Sequence, residues 1–374
     1  MKMLDLRPQI YKFEGCKAFI EDFNIGENDL IFTNKRVYDS FLKGVVVGSK
    51  YIFKEDYKFN EPSDEIIDEL LEIKSKMDVK RIVAIGGGSI IDIAKILALK
   101  DIKTTKEMFE KKSELEKQQE LIVVPTTCGT GSEVTNIAIT EIKAMKTKMG
   151  IADKALYPDF AVLIPELLKS LPYKPFMYSS IDALIHAIES YVSPNSNIFT
   201  ETFSVDAIRM IIKGYKSILK EGKEHRFDII EDFLIASNYA GIAFGNTGVG
   251  AVHALSYPLS GKYHVAHGEA NYQFLIEVFR FYEEKDPNSK GKLKNLKKIL
   301  SKALDIEEDK NVFEELENLL EKLISKKHLT EYGMNEKDII TFAETVINTQ
   351  QRLLANNYAQ MDEFDIIDIY SKLY

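Results

Sequence analysis

Short apolar runs alternate with amphipathic stretches along the first half of the chain. The runs are rich in β-branched residues and predict buried strands at residues 29–33, 45–48, 81–88, 121–127 and 160–165. Between the second and third runs the apolar spacing is helical, and Ser63, which follows Pro62, is suited to cap that helix. Continuous apolar strands separated by helices are typical of a parallel sheet that is covered on both faces.

Helical periodicity replaces the strand pattern after about Leu171. Apolar residues recur with helical spacing in four long segments, residues 179–192, 200–220, 228–245 and 335–354. The pattern therefore predicts an α/β domain with a parallel sheet over residues 1–171 and an all-helical domain over residues 172–374. A chain of 374 residues is also long for a single core, which favours two domains.

Composition excludes several classes of protein. The net charge of −9 argues against nucleic acid as a partner, because a phosphate backbone requires a basic surface. The apolar runs fall well short of the roughly 20 residues of a membrane-spanning helix. Two cysteines, Cys16 and Cys128, exclude a disulfide framework and suit the reducing cytoplasm. We therefore expect a cytoplasmic protein without a membrane or nucleic-acid partner.

A glycine-rich turn joins one of the predicted strands to a helix. In RIVAIGGGSIIDIAK (81–95), Gly86, Gly87 and Gly88 precede Ser89. Residues without Cβ let a diphosphate approach the backbone, and a helix N-terminus offers free N–H groups and partial positive charge. The alternative is a capped strand-to-helix turn, with Ser89 and Asp92 as a capping box. Three consecutive glycines favour phosphate binding.

A second polar loop follows the next predicted strand. PTTCGTGSEVT (125–135) carries hydroxyl groups beside two glycines, at Thr126, Thr127, Thr130 and Ser132. These groups suit a ribose or a nicotinamide amide, and loops at the carboxyl ends of parallel strands meet in one crevice. The alternative is a polar turn at a sheet edge. We interpret Cys128 as a small buried thiol rather than a nucleophile.

Four side chains in the second half suggest a metal site. Asp182 and His186 are one helical turn apart in an otherwise apolar stretch, so they share a buried face. His253 and His267 follow within a nearly uncharged segment, VHALSYPLSGKYHVAHGE (252–269). One carboxylate and three imidazoles form a suitable donor set for a divalent cation. A single such histidine would more often be a satisfied core residue, but the combination favours a metal.

In this order, these segments resemble the iron-containing alcohol dehydrogenase family over essentially the whole chain. The resemblance is carried by GGGSIIDIAK (86–95), PTTCGTGSEVT (125–135), DALIHAIESY (182–191) and VHALSYPLSGKYHVAHG (252–268). It implies an NAD(P)-dependent oxidoreductase of dehydroquinate synthase-like architecture, with a Rossmann-like first domain, a helical second domain and a homodimeric or larger assembly. The implied metal is Fe²⁺, with Zn²⁺ as the alternative.

The resemblance also implies roles for individual residues. The metal ligands would be Asp182, His186, His253 and His267, and the pyrophosphate would lie on Gly86, Gly87, Gly88 and Ser89. Thr126, Thr127, Thr130 and Lys148 would line the ribose and nicotinamide. Asn34 stands where many members carry an acid that repels the 2′-phosphate of NADP. The uncharged residue leaves either cofactor possible, and the closer similarity to the members that act on 4-hydroxybutyrate favours NAD, with NADP as the alternative.

Within the family the chain is most similar to the branch that reduces succinate semialdehyde to 4-hydroxybutyrate. Residues 241–272 and QQRLLANNY (350–358) carry this closer similarity. Tyr257 replaces a histidine that many members place four residues after the ligand matching His253. Tyr257 and His264 are therefore the candidate proton donors, and transfer through water and the cofactor ribose is the alternative. Lys262 and Arg352 are the candidates for binding the substrate carboxylate.

Other functions stay open at this point. The substrate could be another small alcohol or aldehyde, such as 1,3-propanediol, butanol or lactaldehyde. A dehydroquinate synthase-like lyase would need a more basic site beside the metal. A metallohydrolase would leave both glycine loops unexplained. Tyr257 could also mark a cofactor-binding protein that has lost its chemistry.

Overall fold

The protein was analysed as a computed structural model that describes residues 2–57, 61–112, 114–145, 147–288, 291–307 and 310–374. The chain divides into two compact units. One comprises Leu6–Leu171, and the other comprises Pro172–Tyr374 together with the N-terminal stretch that ends at Asp5.

Six parallel strands form the sheet of the first unit, in the order β1-β8-β5-β4-β2-β3. A separate antiparallel hairpin joins β6 to β7. The strand bounds are β1 Gln9–Lys12, β2 Asp29–Thr33, β3 Lys50–Phe53, β4 Arg81–Gly86, β5 Glu120–Pro125, β6 Ile137–Ile142, β7 Thr147–Ala152 and β8 Phe160–Leu163. The predicted α/β fold with a parallel sheet is confirmed.

The helices of this unit are α1 Cys16–Asp22, α2 Lys35–Val37, α3 Asp64–Ser75, α4 Gly88–Leu97 and α5 Thr105–Glu110. Of these, α3, α4 and α5 share a mainly aliphatic core with the sheet. Ser63 is the N-cap residue of α3, although its side chain makes no capping hydrogen bond. In α4 every residue from Ile90 to Leu97 is buried, including Asp92 and Lys95.

One predicted strand is wrong. Residues 45–48 form a turn, because Gly44 and Gly48 adopt positive φ angles of 77° and 85° that a strand cannot contain. Val47 is 79% exposed, and the strand starts only at Lys50. Apolar composition alone predicted a buried strand there, but the flanking glycines turn the chain. The edge strand β1 and the β6–β7 hairpin were not predicted.

The second unit contains helices only, within the residues that the structure describes. They are α6 Tyr173–Val192, α7 Ile198–Glu221, α8 Ile230–Thr247, α9 Ala251–Tyr263, α10 His267–Lys285, α11 Gly291–Leu304, α12 Val312–Leu323, α13 Glu336–Thr349, α14 Gln351–Leu354 and α15 Glu363–Leu373. The predicted helix at 335–354 is interrupted at Gln350, which separates α13 from α14. None of the described helices has the length and apolar character needed to cross a membrane.

Helix α6 occupies the centre of this unit. It packs against α7, α8 and α10, and every residue from Ser180 to Val192 is buried. A helix that is buried all round places even its polar side chains in the interior. Polar residues of α6 must therefore find partners within the protein.

Candidate metal centre and cofactor loops

Three helices bring four potential ligands together inside the second unit. Asp182 and His186 lie one turn apart on α6, His253 lies in the first turn of α9, and His267 is the first residue of α10. One ligand atom from each lies within 4.8 Å of the other three. The first three side chains are almost completely buried, whereas 29% of the His267 side chain is exposed. The cluster is therefore open to solvent on the His267 side.

A contact with Glu189 fixes the orientation of the His253 ring. The Glu189 carboxylate lies 2.6 Å from Nδ1 of His253, and a carboxylate can only accept, so we assign the ring proton to Nδ1. Nε2 of His253 then carries a lone pair. This atom lies 3.0 Å from Nε2 of His186 and 3.8 Å from Oδ1 of Asp182. A histidine whose second nitrogen donates to a carboxylate is the usual arrangement for a metal ligand.

The fourth ligand completes a donor set that fits a divalent cation. Nε2 of His267 lies 3.8 Å from Oδ1 of Asp182. Burial by itself raises the pKa of the Asp182 carboxyl, but the three imidazoles and a hydrogen bond from Asn271 hold that pKa below its ordinary value. The carboxylate is therefore ionised at neutral pH. One anionic oxygen and three nitrogens suit Fe²⁺ or Zn²⁺ and leave a position for a substrate oxygen.

Two residues that orient the ligands were missed in the sequence. Glu189 lies on the same face of α6 as Asp182 and His186, two turns from Asp182. Asn271, one turn after His267, donates from Nδ2 to Oδ1 of Asp182 at 2.7 Å. The spacing of Glu189 from Asp182 and of Asn271 from His267 was a usable signal, because both pairs share a helix face. A polar residue on a buried helix has many possible partners, however, so this spacing alone does not identify the partner.

The C-terminal segment anchors the N-terminus of α9. Oδ1 of Asn357 accepts a hydrogen bond from the backbone N–H of Ala251 at 3.2 Å and another from the hydroxyl of Tyr282. Nδ2 of Asn356 donates to the carbonyl of Val249 at 3.1 Å. The two asparagines of QQRLLANNY (350–358) thus hold the turn from which the helix of His253 starts.

The two candidate proton donors differ in position. The ring of Tyr257 is half-buried, and its centroid lies 6.0 Å from that of His267. His264 is exposed and ends α9 in the left-handed conformation, with a φ of 53°. The metal cluster found among the described residues does not include His264.

The two cations considered for the substrate carboxylate are both at the surface. The Lys262 ammonium forms an ion pair with Asp338 on α13, which also accepts a hydrogen bond from the Tyr263 hydroxyl. Arg352 is exposed on α14. The ion pair with Asp338 gives Lys262 a structural role, so a substrate carboxylate is not needed to explain this lysine.

In the first unit, both polar loops leave the same edge of the sheet. Gly86 at the end of β4 pairs in register with Pro125 at the end of β5. The predicted capping box is wrong: Gly87 is the N-cap residue of α4, no side chain caps the helix, and Ser89 lies in its first turn. Asp92 does not cap because its carboxylate accepts hydrogen bonds from Ser132 in the second loop and from the backbone of Ile139 on β6 instead.

The glycines are required for close approach between the two loops. A Cβ at Gly88 would lie 2.8 Å from Cγ2 of Thr130, and one at Gly87 would lie 3.4 Å from Cγ2 of Thr127. The backbone N–H of Thr126 donates to the carbonyl of Gly86 at 3.0 Å. The two loops therefore form one continuous surface of bare backbone and hydroxyl groups.

The remaining cofactor candidates lie in the same unit. Oδ1 of Asn34 accepts a hydrogen bond from the backbone N–H of Val37 and so caps α2 at the end of β2. Lys148 lies on β7, is 7% exposed, and has its Nζ 3.6 Å from Oε1 of Glu61. Cys128 is buried and free of a disulfide.

Comparison with known proteins decides the family. The profile described as "Iron-containing alcohol dehydrogenase" matches residues 11–165, and "Fe-containing alcohol dehydrogenase family, C-terminal" matches residues 176–374. The chain belongs to the iron-containing alcohol dehydrogenase family. It is an oxidoreductase that acts on CH–OH groups, as the resemblance implied.

Two relatives and one solved structure illustrate the range of similarity. The chain is 52% identical to a 4-hydroxybutyrate dehydrogenase of Clostridium kluyveri over 374 residues, covering 100% of both chains. It is 34% identical to long-chain-alcohol dehydrogenase 1 of Geobacillus thermodenitrificans, covering 77% of this chain and 73% of that one. A crystal structure of 1,3-propanediol oxidoreductase shares the fold, with a TM-score of 0.84, 21% identity and complete coverage of both chains.

Proposed function

We propose that this iron-containing alcohol dehydrogenase interconverts succinate semialdehyde and 4-hydroxybutyrate with a nicotinamide dinucleotide. The single observation that carries the proposal is the full-length 52% identity to a 4-hydroxybutyrate dehydrogenase. The buried carboxylate and three imidazoles support it, because they fit a Lewis-acid metal and not merely a structural core.

The chain's own residues have distinct roles in this reaction. Asp182, His186, His253 and His267 would hold the metal, and Glu189 would keep the His253 ring in the binding tautomer. When bound, the metal polarises the carbonyl oxygen and the reduced nicotinamide supplies the hydride.

The cofactor would lie on the two polar loops of the first unit. Gly86, Gly87, Gly88 and Ser89 would bind the pyrophosphate, and Thr126, Thr127, Thr130 and Lys148 would line the ribose and nicotinamide. Asn34 is uncharged and its Oδ1 is used in a cap, so it does not repel a 2′-phosphate. Asn34 therefore leaves either dinucleotide possible. We propose NAD as the cofactor because of the similarity to a 4-hydroxybutyrate dehydrogenase, with NADP as the alternative.

We propose Tyr257 as the proton donor rather than His264. Its ring lies beside that of His267, on the exposed side of the cluster, whereas His264 ends a helix in solvent. A phenol held there can donate its proton as negative charge develops on the substrate oxygen.

Replacing Tyr257 by phenylalanine tests this role. Loss of a general acid lowers kcat by a factor on the order of 10² to 10⁴, so we expect a decrease of that size with unchanged metal content. His264→Asn is the matched control, because asparagine tolerates the left-handed conformation at this helix end. A normal kcat in Tyr257→Phe, or a larger loss in the His264 variant, would refute the assignment.

A broader alcohol dehydrogenase is the second candidate. The pairing of Lys262 with Asp338 favours it, because this cation is already used within the protein. Uncharged substrates such as butanol, 1,3-propanediol or lactaldehyde would then be accepted equally well. The family assignment speaks against a metallohydrolase or a dehydroquinate synthase-like lyase. Homodimer formation and a cytoplasmic location stay predictions.

A panel of aldehydes distinguishes the two candidates. The protein would be loaded anaerobically with Fe²⁺ and the oxidation of NADH and NADPH followed with succinate semialdehyde and with butanal. The proposal requires a kcat/KM for succinate semialdehyde at least about tenfold above that for butanal, which corresponds to about 1.4 kcal/mol. Equal values would favour the broader enzyme, and cofactor binding without oxidation would reject both.

A further inference from the structure

Lys95 is a fully buried lysine directly behind the glycine loop. It lies on α4, seven residues after Gly88, and none of its side chain is exposed to solvent. A side chain without exposed surface cannot contact a bound phosphate, so this lysine must have another role.

All three protons of the Lys95 ammonium are used, by the second loop and by the first residue of β6. Nζ donates to Oγ of Ser132 at 2.7 Å, to Oγ1 of Thr135 at 3.1 Å and to the carbonyl of Ile137 at 2.7 Å. These acceptors lie 37 to 42 positions further along the chain. The hydrogen bonds therefore join the helix that follows the glycine loop to two hydroxyl groups of the second loop and to the start of β6.

Asp92 closes the same network from the preceding turn of α4. Its Oδ1 accepts the hydroxyl proton of Ser132 at 2.6 Å, and its Oδ2 accepts the backbone N–H of Ile139 at 3.0 Å. The Ser132 hydroxyl thus accepts from Lys95 and donates to Asp92. Since buried polar networks hold their geometry only when every member is satisfied, removal of one member should loosen the others.

The network fixes the part of the second loop that faces the glycines. Ser132 follows Thr130 by two residues, and its backbone N–H donates to Oγ1 of Thr130 at 3.3 Å. Cγ2 of the same threonine is the atom that a Cβ at Gly88 would meet. Lys95 and Asp92, on the helix that follows the glycine loop, therefore hold the second loop at a fixed distance from the first.

We propose that Lys95 is a positioning residue that locks the glycine loop and the threonine loop into the one surface that receives the dinucleotide. The proposal rests on the proposed use of these loops by a nicotinamide cofactor. Lys95 itself does not touch the ligand. It keeps the unliganded loops in the binding conformation, so that little ordering is needed when the cofactor binds.

The charge of Lys95 should matter for this role. Burial lowers the pKa of Lys95 to about 8, and Asp92 and Glu133 oppose that shift. Burial also raises the pKa of Asp92, against the effects of Lys95 and of the Ser132 and Ile139 hydrogen bonds, while Glu61 adds to the increase. A protonated Lys95 has three protons for three acceptors, and the neutral amine has only two. Cofactor affinity should therefore decrease as the pH rises through the pKa of Lys95.

The test compares Lys95→Met with wild type in two measurements. Hydrogen exchange of the ligand-free protein should become faster over residues 126–142 in the variant. The dissociation constant for NADH should rise about tenfold if the loops hold the binding conformation one tenth of the time. In wild type that constant should also increase above about pH 8, and in Lys95→Met this increase should be absent.

Two further variants keep the test decisive. Ser132→Ala removes the bridging hydroxyl but keeps the lysine, and it should show the same two changes to a smaller degree. It therefore serves as the test if Lys95→Met does not fold. Lys74→Met replaces another buried lysine of the same unit, on α3, and should leave exchange at residues 126–142 and NADH binding unchanged.

The outcomes separate this inference from the proposed function. Folded Lys95→Met and Ser132→Ala proteins with wild-type exchange over residues 126–142 would overturn the positioning role, as would NADH binding that equals wild type at every pH. If wild type fails to bind NADH or NADPH, the proposed function fails, and the exchange measurement alone decides whether Lys95 locks the loops together.

Discussion

A chain in which Asp182 is replaced by alanine is expected to lose its metal and its dehydrogenase activity. Asp182 is the only anion among the four ligands, and its Oδ1 lies 3.8 Å from Nε2 of both His253 and His267. Without it, three neutral imidazoles would have to hold a dication in a buried site. We expect metal affinity to fall by more than the roughly hundredfold loss that changes around a ligand produce.

Metal content and thermal unfolding measure this loss independently of activity. A ligand present at a thousand times its dissociation constant stabilises a protein by about 4 kcal/mol, so added Zn²⁺ or Fe²⁺ should raise the unfolding temperature of wild type. Asp182→Ala should show no such increase. His225→Ala is the control, because His225 pairs with Asp228 outside the cluster and should leave the increase intact. One bound metal per Asp182→Ala chain would contradict the assigned site.

Replacing Gly268 by alanine is expected to damage the same site through a steric conflict. A Cβ at Gly268 would lie 2.2 Å from the carbonyl oxygen of Tyr178 and 3.2 Å from Cβ of Asp182. Backbone atoms cannot move aside as a side chain can, so α6 and α10 would have to separate by more than about 1 Å. Metal–ligand distances tolerate only about 0.2 Å. His267, the neighbouring residue, would then be out of reach of the metal.

The expected result is loss of metal together with lower stability. Overpacking of this kind lowers the free energy of unfolding by about 1 to 3 kcal/mol, although alanine is intrinsically the better helix former by about 1 kcal/mol. Gly261→Ala is the matched control: Gly261 lies in α9, and no atom lies within 4 Å of its added Cβ. Denaturant unfolding and metal analysis of both variants provide the measurement. If Gly268→Ala retains wild-type metal affinity, the tight contact between α6 and α10 does not control the site.

Much of the fold was predictable because its signals are local. The apolar runs at β2, β4, β5 and β8 and the helical spacing after Leu171 each reflect which side of one element is buried. The strand predicted at residues 45–48 failed for a local reason as well. Two glycines with positive φ surround those valines, and composition does not report backbone angles.

The predicted site residues depended on spacing and order along the chain. Asp182 and His186 share a helix face, so their proximity follows from helix geometry. The approach of His253 and His267 to that face depends on how α9 and α10 pack. It was expected from the concentration of histidines in a nearly uncharged segment and from the family resemblance, and not from helix geometry. Asn271 and Asn357 were missed because hydrogen-bonding amides have no distinctive pattern until their partners are known.

The sequence by itself determined the fold class, the family and the positions of the candidate ligands. These depend on local periodicity and on motifs that are short contiguous segments of the chain. Only the tertiary structure decided what several polar residues do. It places Lys95 in a buried network with Ser132, pairs Lys262 with Asp338 and leaves His264 exposed to solvent. A charged side chain can reach any of several partners from one position in the chain, and long-range packing alone selects among them.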